Sequence, residues 1–230
     1  MLAYLPAVPV SMPSIWHLLS TLGDSRLLLP AAALLIGAGA YYGSRWHRRW
    51  AAGICLVASA VLVSKLAFLG WGIGSARWDF TGFSGHAAIS ASVWPMLLAL
   101  SAPPRRWRWA AASGVLMAAA IAGSRLPLQA HSWSEVVTGW ALGLLCTLWV
   151  VRRWQPLPSR RSAWAVGAVA LGLCLPVGLP QASTHQLVVR MATALSGAAA
   201  PYGRSALRET SISTPAREPL TLTPQMSQLP

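Results

Sequence analysis

Long apolar stretches separated by short polar loops dominate this chain of 230 residues. Six stretches have about the length needed to cross a hydrocarbon core of roughly 30 Å. They lie at residues 27–43, 51–70, 85–102, 109–123, 136–151 and 163–179. The stretches are rich in Ala and Leu and show no period-two alternation, which favours helices over the strands of a barrel. The pattern predicts an all-α fold, a polytopic membrane helical bundle of about six transmembrane helices.

Composition supports a membrane location. Hydrophobic residues make up 55% of the chain and charged residues only 10%, and the mean hydropathy is +0.51. An ordinary soluble domain carries about 25% charged residues. We therefore predict an integral membrane protein.

The two ends of the chain differ from its middle. Three prolines interrupt the first residues, before a short amphipathic stretch at 14–22. We predict an interfacial segment at 1–26, with a degenerate spanning helix as the alternative, followed by one transmembrane domain at 27–183. From residue 184 the apolar runs stop, and the last residues are rich in Ser, Thr, Pro and Gln, which predicts a weakly structured to disordered tail at 184–230.

The net charge of +13 comes largely from arginines in alternate loops. The basic loops contain Arg45, Arg48 and Arg49, then Arg105, Arg106 and Arg108, then Arg152, Arg153, Arg160 and Arg161. The loops between them, at 71–84 and 124–135, carry one arginine each. The positive-inside rule therefore predicts that the basic loops are cytoplasmic and that the other two face the opposite side. This topology explains the basicity without nucleic acid as a partner.

The first polar group in these outer loops is Ser84-Gly85-His86, which opens the third predicted helix. Ser84 is a natural N-cap, and the N–H groups of the first helical turn form a potential anion site. The alternative is a capped helix with an interfacial histidine and no ligand.

The second polar group surrounds the loop between the fourth and fifth predicted helices. Ser124-Arg125 closes one helix, and His131 and Glu135 stand four residues apart at the start of the next. A carboxylate at this spacing can hold one imidazole nitrogen and leave the other as a nucleophile. The alternatives are that Arg125 only compensates a helix dipole and that Glu135 forms a capping box with Ser132.

Together these groups resemble the type-2 phosphatidic acid phosphatase family, which is related to the vanadium haloperoxidases. That family has a Pro-Ser-Gly-His motif and a later motif of Ser-Arg, five residues, His, three residues and Asp. Here the chain has Phe83-Ser84-Gly85-His86 and Ser124-Arg125-x5-His131-x3-Glu135. The resemblance covers mainly residues 65–135.

One departure concerns the family's first motif, Lys, six residues, then Arg-Pro. Lys65 is the single lysine of the chain, but Gly72 stands seven residues later, where the motif has Arg. Arg77 is the candidate replacement for this guanidinium. The alternative is that Lys65 snorkels to the interface and Arg77 pairs with Asp79.

The resemblance implies metal-independent phosphoryl transfer at a catalytic group of His131, His86 and Glu135. His131 would attack phosphorus, Glu135 would orient it, and His86 would protonate the leaving oxygen and later activate water. The implied phosphate ligands are Arg125, Lys65, Ser84, Gly85 and, as the replacement, Arg77.

The predicted function is therefore hydrolysis of a lipid phosphate or pyrophosphate without a cofactor or metal. The predicted location is a bacterial inner membrane, with the active site on the periplasmic face. A phosphotransferase using the same site, and a transporter or catalytically inactive relative, remain alternatives. The sequence identifies neither the lipid nor the oligomeric state.

Overall fold

A computed structural model describes residues 15–41, 43, 45–152, 167 and 184–207. Seven helices of seven or more residues are found in these residues. They are α1 (Ile15–Thr21), α2 (Ser25–Tyr41), α3 (Trp46–Trp71), α4 (Gly85–Ser101), α5 (Trp107–Ser124), α6 (Trp133–Val151) and α7 (Thr184–Ser196).

Helix α4 is the centre of the bundle. Of its 17 residues, 13 are buried, and it packs against α2, α3, α5 and α6. Gly139 and Gly143 of α6 face it: a Cβ at Gly139 would lie 2.7 Å from the carbonyl oxygen of Ser84, and one at Gly143 would clash with Ala88. Small residues four apart allow this close approach of two helices in a membrane, where van der Waals packing replaces the hydrophobic effect.

The alternation of helix directions gives the bundle two distinct ends. One end collects the last turn of α3, the first turns of α4 and α6 and the end of α5. The exposed arginines Arg45, Arg105 and Arg152 belong to the opposite ends of these helices. The division matches the predicted separation of basic loops from the loops at 71–84 and 124–135.

The fold class predicted from sequence is confirmed. Three helical stretches are long and apolar enough to cross a membrane, namely Ile15–Tyr41, which includes both α1 and α2, Trp46–Trp71 and Trp133–Val151, and Gly85–Ser101 is a shorter apolar helix. The sixth predicted helix, at 163–179, lies outside the described residues except for Gly167. The interfacial role of 1–26 stays a prediction.

The prediction of a weakly structured tail is wrong for residues 184–196, which form α7. Val188 and Ala192 of α7 are buried, and α7 packs along α3. The amphipathic pattern is short and interrupted by polar residues, so tertiary packing rather than a long apolar run stabilises this helix. The remainder of the predicted tail, from residue 208, lies outside the described residues.

Candidate active site

Four helix ends converge on one end of the bundle and bring the predicted polar groups together. The last turns of α3 contribute Lys65, the start of α4 contributes Ser84 to His86, and the end of α5 contributes Arg125. The loop before α6 and its first turn contribute His131 and Glu135. Groups separated by up to 70 residues in sequence thus form one cluster.

Glu135 is the centre of this cluster and is fully buried. Its Oε1 accepts hydrogen bonds from the Thr81 backbone N–H at 2.8 Å and from the Thr81 hydroxyl. Its Oε2 lies 2.7 Å from His131 Nδ1 and accepts from the Ser132 N–H at 3.2 Å. Arg204 Nη2 lies 2.9 Å from both carboxylate oxygens. A buried charge requires such partners, and these contacts hold the carboxylate in one orientation.

His131 is largely buried, with 15% of its side chain exposed. Burial lowers the pKa of His131 below its usual value, the bond to Glu135 opposes this effect, and the positive charges of Lys65 and Arg125 reinforce it. A neutral His131 beside a carboxylate carries its proton on Nδ1, since the carboxylate can only accept. Its Nε2 then has the free lone pair that a nucleophile needs.

The capping box and the imidazole contact, considered as alternatives from the sequence, coexist in the structure. Ser132 is the N-cap of α6, its hydroxyl accepts from the Glu135 N–H at 3.4 Å, and the Glu135 side chain accepts from the Ser132 N–H. His131 precedes the N-cap and lies outside the helix. The two side chains therefore meet because of the turn before α6 and not because they share a helical face.

The start of α4 lies against α6 and the turn between α1 and α2. Ser84 is the N-cap residue, its backbone N–H donates to the Glu135 carbonyl at 3.1 Å, and Gly85 begins the helix. The Ser84 hydroxyl is fully buried and makes no hydrogen bond within the described part of the chain. His86 lies beside Gly23, where a Cβ would come within 3.4 Å of the imidazole ring.

Arg125 follows α5 and is held by the last turn of α1. Its Nη1 donates to the Ser20 hydroxyl at 2.5 Å, whereas its Nε is buried and has no hydrogen-bond partner among the described residues. A guanidinium has five N–H donors in a fixed plane. The unpaired Nε–H is therefore a donor available to an anion.

The two other predicted cations occupy different environments. Lys65 is half-buried, and its charge interacts with Glu135, Arg125 and His131. Arg77 is exposed, and its guanidinium lies 5.7 Å from the centre of the Trp78 ring. The described contacts join Lys65 to the cluster but do not join Arg77 to it, and Asp79 forms an ion pair with Arg204.

Sequence reasoning missed Arg204, which lies in the predicted weakly structured tail. Its Nη1 donates to Asp79 Oδ2 at 2.8 Å, and its Nη2 binds Glu135. No motif or apolar period marks this residue in the sequence. Thr81 was missed as well, although it stands three residues before Ser84 in the loop at 71–84.

Gly72, the residue in place of the family's arginine, ends helix α3. Gly72 has φ +68°, and its N–H donates to the Phe68 carbonyl. The Ile73 N–H donates to the Ala67 carbonyl, as in a Schellman cap. A Cβ at this position would lie 3.0 Å from the Tyr202 ring. A side chain at position 72 would therefore meet both backbone strain and the chain segment that carries Arg204.

Comparison with known proteins shows which family this chain resembles. The profile described as "PAP2 superfamily" matches residues 69–158, a range that includes Ser84 to His86, Arg125, His131 and Glu135. A Klebsiella pneumoniae protein described as "Uncharacterized 22.5 kDa protein in cps region" is 37% identical over 208 residues, which cover 84% of this chain and 98% of the relative. No solved structure matches the chain.

Proposed function

The chain belongs to the PAP2 superfamily, and from this membership we propose that it is an integral membrane phosphatase that hydrolyses a lipid phosphate or pyrophosphate through a phosphohistidine. The observation that carries the proposal is the 2.7 Å contact between His131 Nδ1 and the buried Glu135 carboxylate. This contact occupies Nδ1 and leaves the Nε2 lone pair of His131 available to a substrate.

In the first step, His131 Nε2 attacks phosphorus and the bond from phosphorus to the leaving oxygen breaks. The imidazole becomes positively charged, and Glu135 stabilises that charge through Nδ1–H without taking the proton. His86 donates a proton to the leaving oxygen, so the lipid departs as an alcohol, or as a monophosphate when the substrate is a pyrophosphate.

In the second step, the neutral His86 takes a proton from water, and the water oxygen attacks the phosphohistidine. The bond from phosphorus to Nε2 breaks, inorganic phosphate leaves, and His131 and the protonated His86 are restored. The two steps need no redox partner, and we propose that they need no metal ion.

Phosphate binding is assigned to the donors that the protein leaves available around this pair. The donors that support this assignment are the unpaired hydroxyl of Ser84 and Nε–H of Arg125, with Lys65 providing further charge. The N–H groups at the start of α4, including that of Gly85, add the positive end of a helix dipole. Such preformed donors stabilise the charge that develops on the equatorial oxygens. Arg77, stacked on Trp78 and exposed, is not included.

A lipid substrate is supported by the apolar surface next to the site. Large aromatic side chains are exposed on the loops of this end, with Trp78 65% exposed and Trp133 71% exposed. Exposed tryptophans of this kind lie at the level of the lipid headgroups. Together with the basic loops at the opposite end, they support an active site at the outer, periplasmic face of a bacterial inner membrane.

The proposal is tested by a phosphate-release screen on the purified full chain in detergent. The panel is phosphatidate, phosphatidylglycerophosphate, an isoprenyl pyrophosphate and a lipid A phosphate, with a soluble phosphate ester as the comparison. We expect release from at least one lipid, insensitivity to chelators and inhibition by vanadate, which imitates five-coordinate phosphorus.

His131→Ala is the matched variant for the mechanism. It should abolish both release and any acid-labile phosphoryl adduct, while His86→Ala should still form some adduct from a substrate with a good leaving group. A requirement for a divalent metal, or an adduct formed without His131, would contradict the proposed mechanism. Failure to release phosphate from any of the lipids would contradict the proposed substrate class.

A further inference from the structure

We propose that Arg204 is a positioning residue of this site, which fixes the Glu135 carboxylate against His131 and offsets its negative charge. The effect on turnover rests on the proposed function above, whereas the contacts and their electrostatic consequence do not. The inference adds the segment from Ala198 to Leu207 to a site otherwise built from α3 to α6.

The first support is the geometry of the guanidinium. Nη2 lies 2.9 Å from each oxygen of Glu135 and 3.3 Å from the Thr81 hydroxyl, and Nη1 lies 2.8 Å from Asp79 Oδ2. Arg204 thus joins the loop before α4 to the first turn of α6. Charge-assisted hydrogen bonds of this kind are stronger than neutral ones and fix orientation.

The second support is that the backbone delivers Arg204 to this place. The Tyr202 N–H donates to the Leu69 carbonyl at 2.9 Å, and the Tyr202 ring covers Gly72 at the end of α3. The Leu207 side chain lies within 3.3 Å of the Cβ position of Gly74. The segment is therefore anchored on both sides of Arg204, unlike a long surface side chain that finds a nearby carboxylate.

The loop that receives Arg204 is also well defined. Ser75 and Phe80 exchange two backbone hydrogen bonds of 2.9 Å, and Asp79, between them, has φ +46°. The Phe83 N–H donates to the Ser64 hydroxyl of α3 at 3.1 Å. Asp79 and Thr81 are thus held in place from both ends of the loop.

The third support is the balance of charge around His131. The charged and titratable groups that act on it are Glu135 of α6, Lys65 of α3, Arg125 after α5, His86 of α4 and, through Glu135, Arg204 with its partner Asp79. Glu135 is the one anion in direct contact with the imidazole among the described residues. Without Arg204, the full charge of Glu135 would favour the imidazolium and so remove the free lone pair of the nucleophile.

The experiment is an NMR titration of the full chain, labelled with 13C-histidine, in detergent micelles. The His131 signal is assigned by its loss in His131→Ala. In Arg204→Gln we expect the His131 midpoint to rise by about one pH unit, the effect of one nearby charge. Arg204→Lys keeps the charge and should stay near the wild type, and Arg190→Gln, which removes an exposed arginine of α7, should leave the midpoint unchanged.

A second variant, Tyr202→Ala, keeps the inference testable if Arg204→Gln does not fold. Tyr202→Ala loosens the anchored segment without removing a charge, and we expect a smaller rise in the same direction. An unchanged His131 midpoint in folded Arg204→Gln, or in folded Tyr202→Ala if Arg204→Gln does not fold, would overturn the inference.

A turnover measurement separates this inference from the proposed function. On a lipid that the wild type hydrolyses, Arg204→Gln should lower kcat roughly tenfold or more, as loss of an orienting partner does, and should move the acidic limb of the pH profile upward. If the wild type hydrolyses no lipid phosphate, the proposed function fails, while the titration still decides the role of Arg204. A lower kcat with an unmoved His131 titration would mean that Arg204 is only structural.

Discussion

Replacing Glu135 by Gln distinguishes its role in capping helix α6 from its role in holding His131. The substitution keeps size and shape, and Gln satisfies a capping box as Glu does. It removes the negative charge that binds Arg204 and steadies His131. Because Glu135 is fully buried, water does not compensate for the loss.

The cost in stability follows from the donors that surround the carboxylate. Oε1 faces Thr81 and Oε2 faces His131 and the Ser132 N–H, so either orientation of an amide directs its NH₂ group at another donor. An unsatisfied buried polar group costs about 1–3 kcal/mol. Arg204 is 34% exposed, so water partly solvates it after its partner is lost, and we expect a total cost near the lower end of that range.

The cost in turnover should be much larger. Loss of the carboxylate that orients a catalytic histidine lowers kcat by about 10⁴-fold in the Ser-His-Asp triad, which corresponds to roughly 5 kcal/mol of transition-state stabilisation. We expect a loss of two to four orders of magnitude here. The assay is phosphate release at saturating lipid, with thermal unfolding recorded in the same detergent.

Ser132→Ala is the control for Glu135→Gln. It removes the hydroxyl that caps α6, at a cost of about 1 kcal/mol, but keeps the carboxylate and the imidazole. Its turnover should stay close to that of the wild type. Undiminished turnover in a folded Glu135→Gln protein would show that Glu135 only caps the helix, and the catalytic pair would have to be abandoned.

Three further expectations concern other parts of the molecule. The proposed nucleophile is a neutral His131, whose pKa is lowered by burial, so the acidic limb of kcat/KM should lie below about pH 6.5, the usual histidine value. A limb well above it would refute this assignment. Gly143→Leu should lower the melting temperature in detergent, because its Cβ would enter the backbone of α4 and overpacking costs about 1–3 kcal/mol. Gly37→Leu, in open space, should have little effect. Equal melting temperatures of the two variants would contradict the described packing of α6 on α4. In a background without native cysteines, a cysteine in the loop at 71–84 should react with an impermeant reagent in intact cells and one near Arg105 should not, so labelling near Arg105 would reverse the predicted orientation.

The helices could be predicted because burial in lipid leaves a clear apolar signal, and the start of α4 after its N-cap Ser84 agrees with the sequence, but the apolar signal misplaced the starts of two others. Helix α3 was expected from residue 51 and begins at Trp46, since the arginines at 48 and 49 interrupt the apolar run but not the helix. The apolar run of α6 begins at residue 136 but the helix begins at Trp133, because the capping box of Ser132 and Glu135, which the sequence offered as an alternative, sets its start. Local polar contacts decide such ends, and hydropathy does not register them.

One contact of the candidate site could be predicted because the spacing in the sequence is short. His131 and Glu135 stand four residues apart, and the structure brings them together, although through a turn and not a helical face. The partner across a long separation could not be predicted. Arg204 reaches Glu135 over 69 residues, from a segment whose composition indicates weak structure. The packing of α7 on α3 and the backbone bond from Tyr202 to Leu69 bring it there.

Gly72 stands where the family's first motif has Arg. The substitution Gly72→Arg restores that residue and tests whether this fold accommodates it. Gly72→Arg would place a guanidinium seven residues after Lys65, but a side chain in the left-handed region costs roughly 1–2 kcal/mol. Its Cβ would also lie 3.0 Å from the Tyr202 ring, so the segment that carries Arg204 would have to move. We therefore expect Gly72→Arg to lower both the melting temperature and lipid phosphate release, whereas Gly72→Ala, with the same strain but no guanidinium, should lower them less. Higher phosphate release in Gly72→Arg would contradict this expectation and would show that the site lacks a cation at this position.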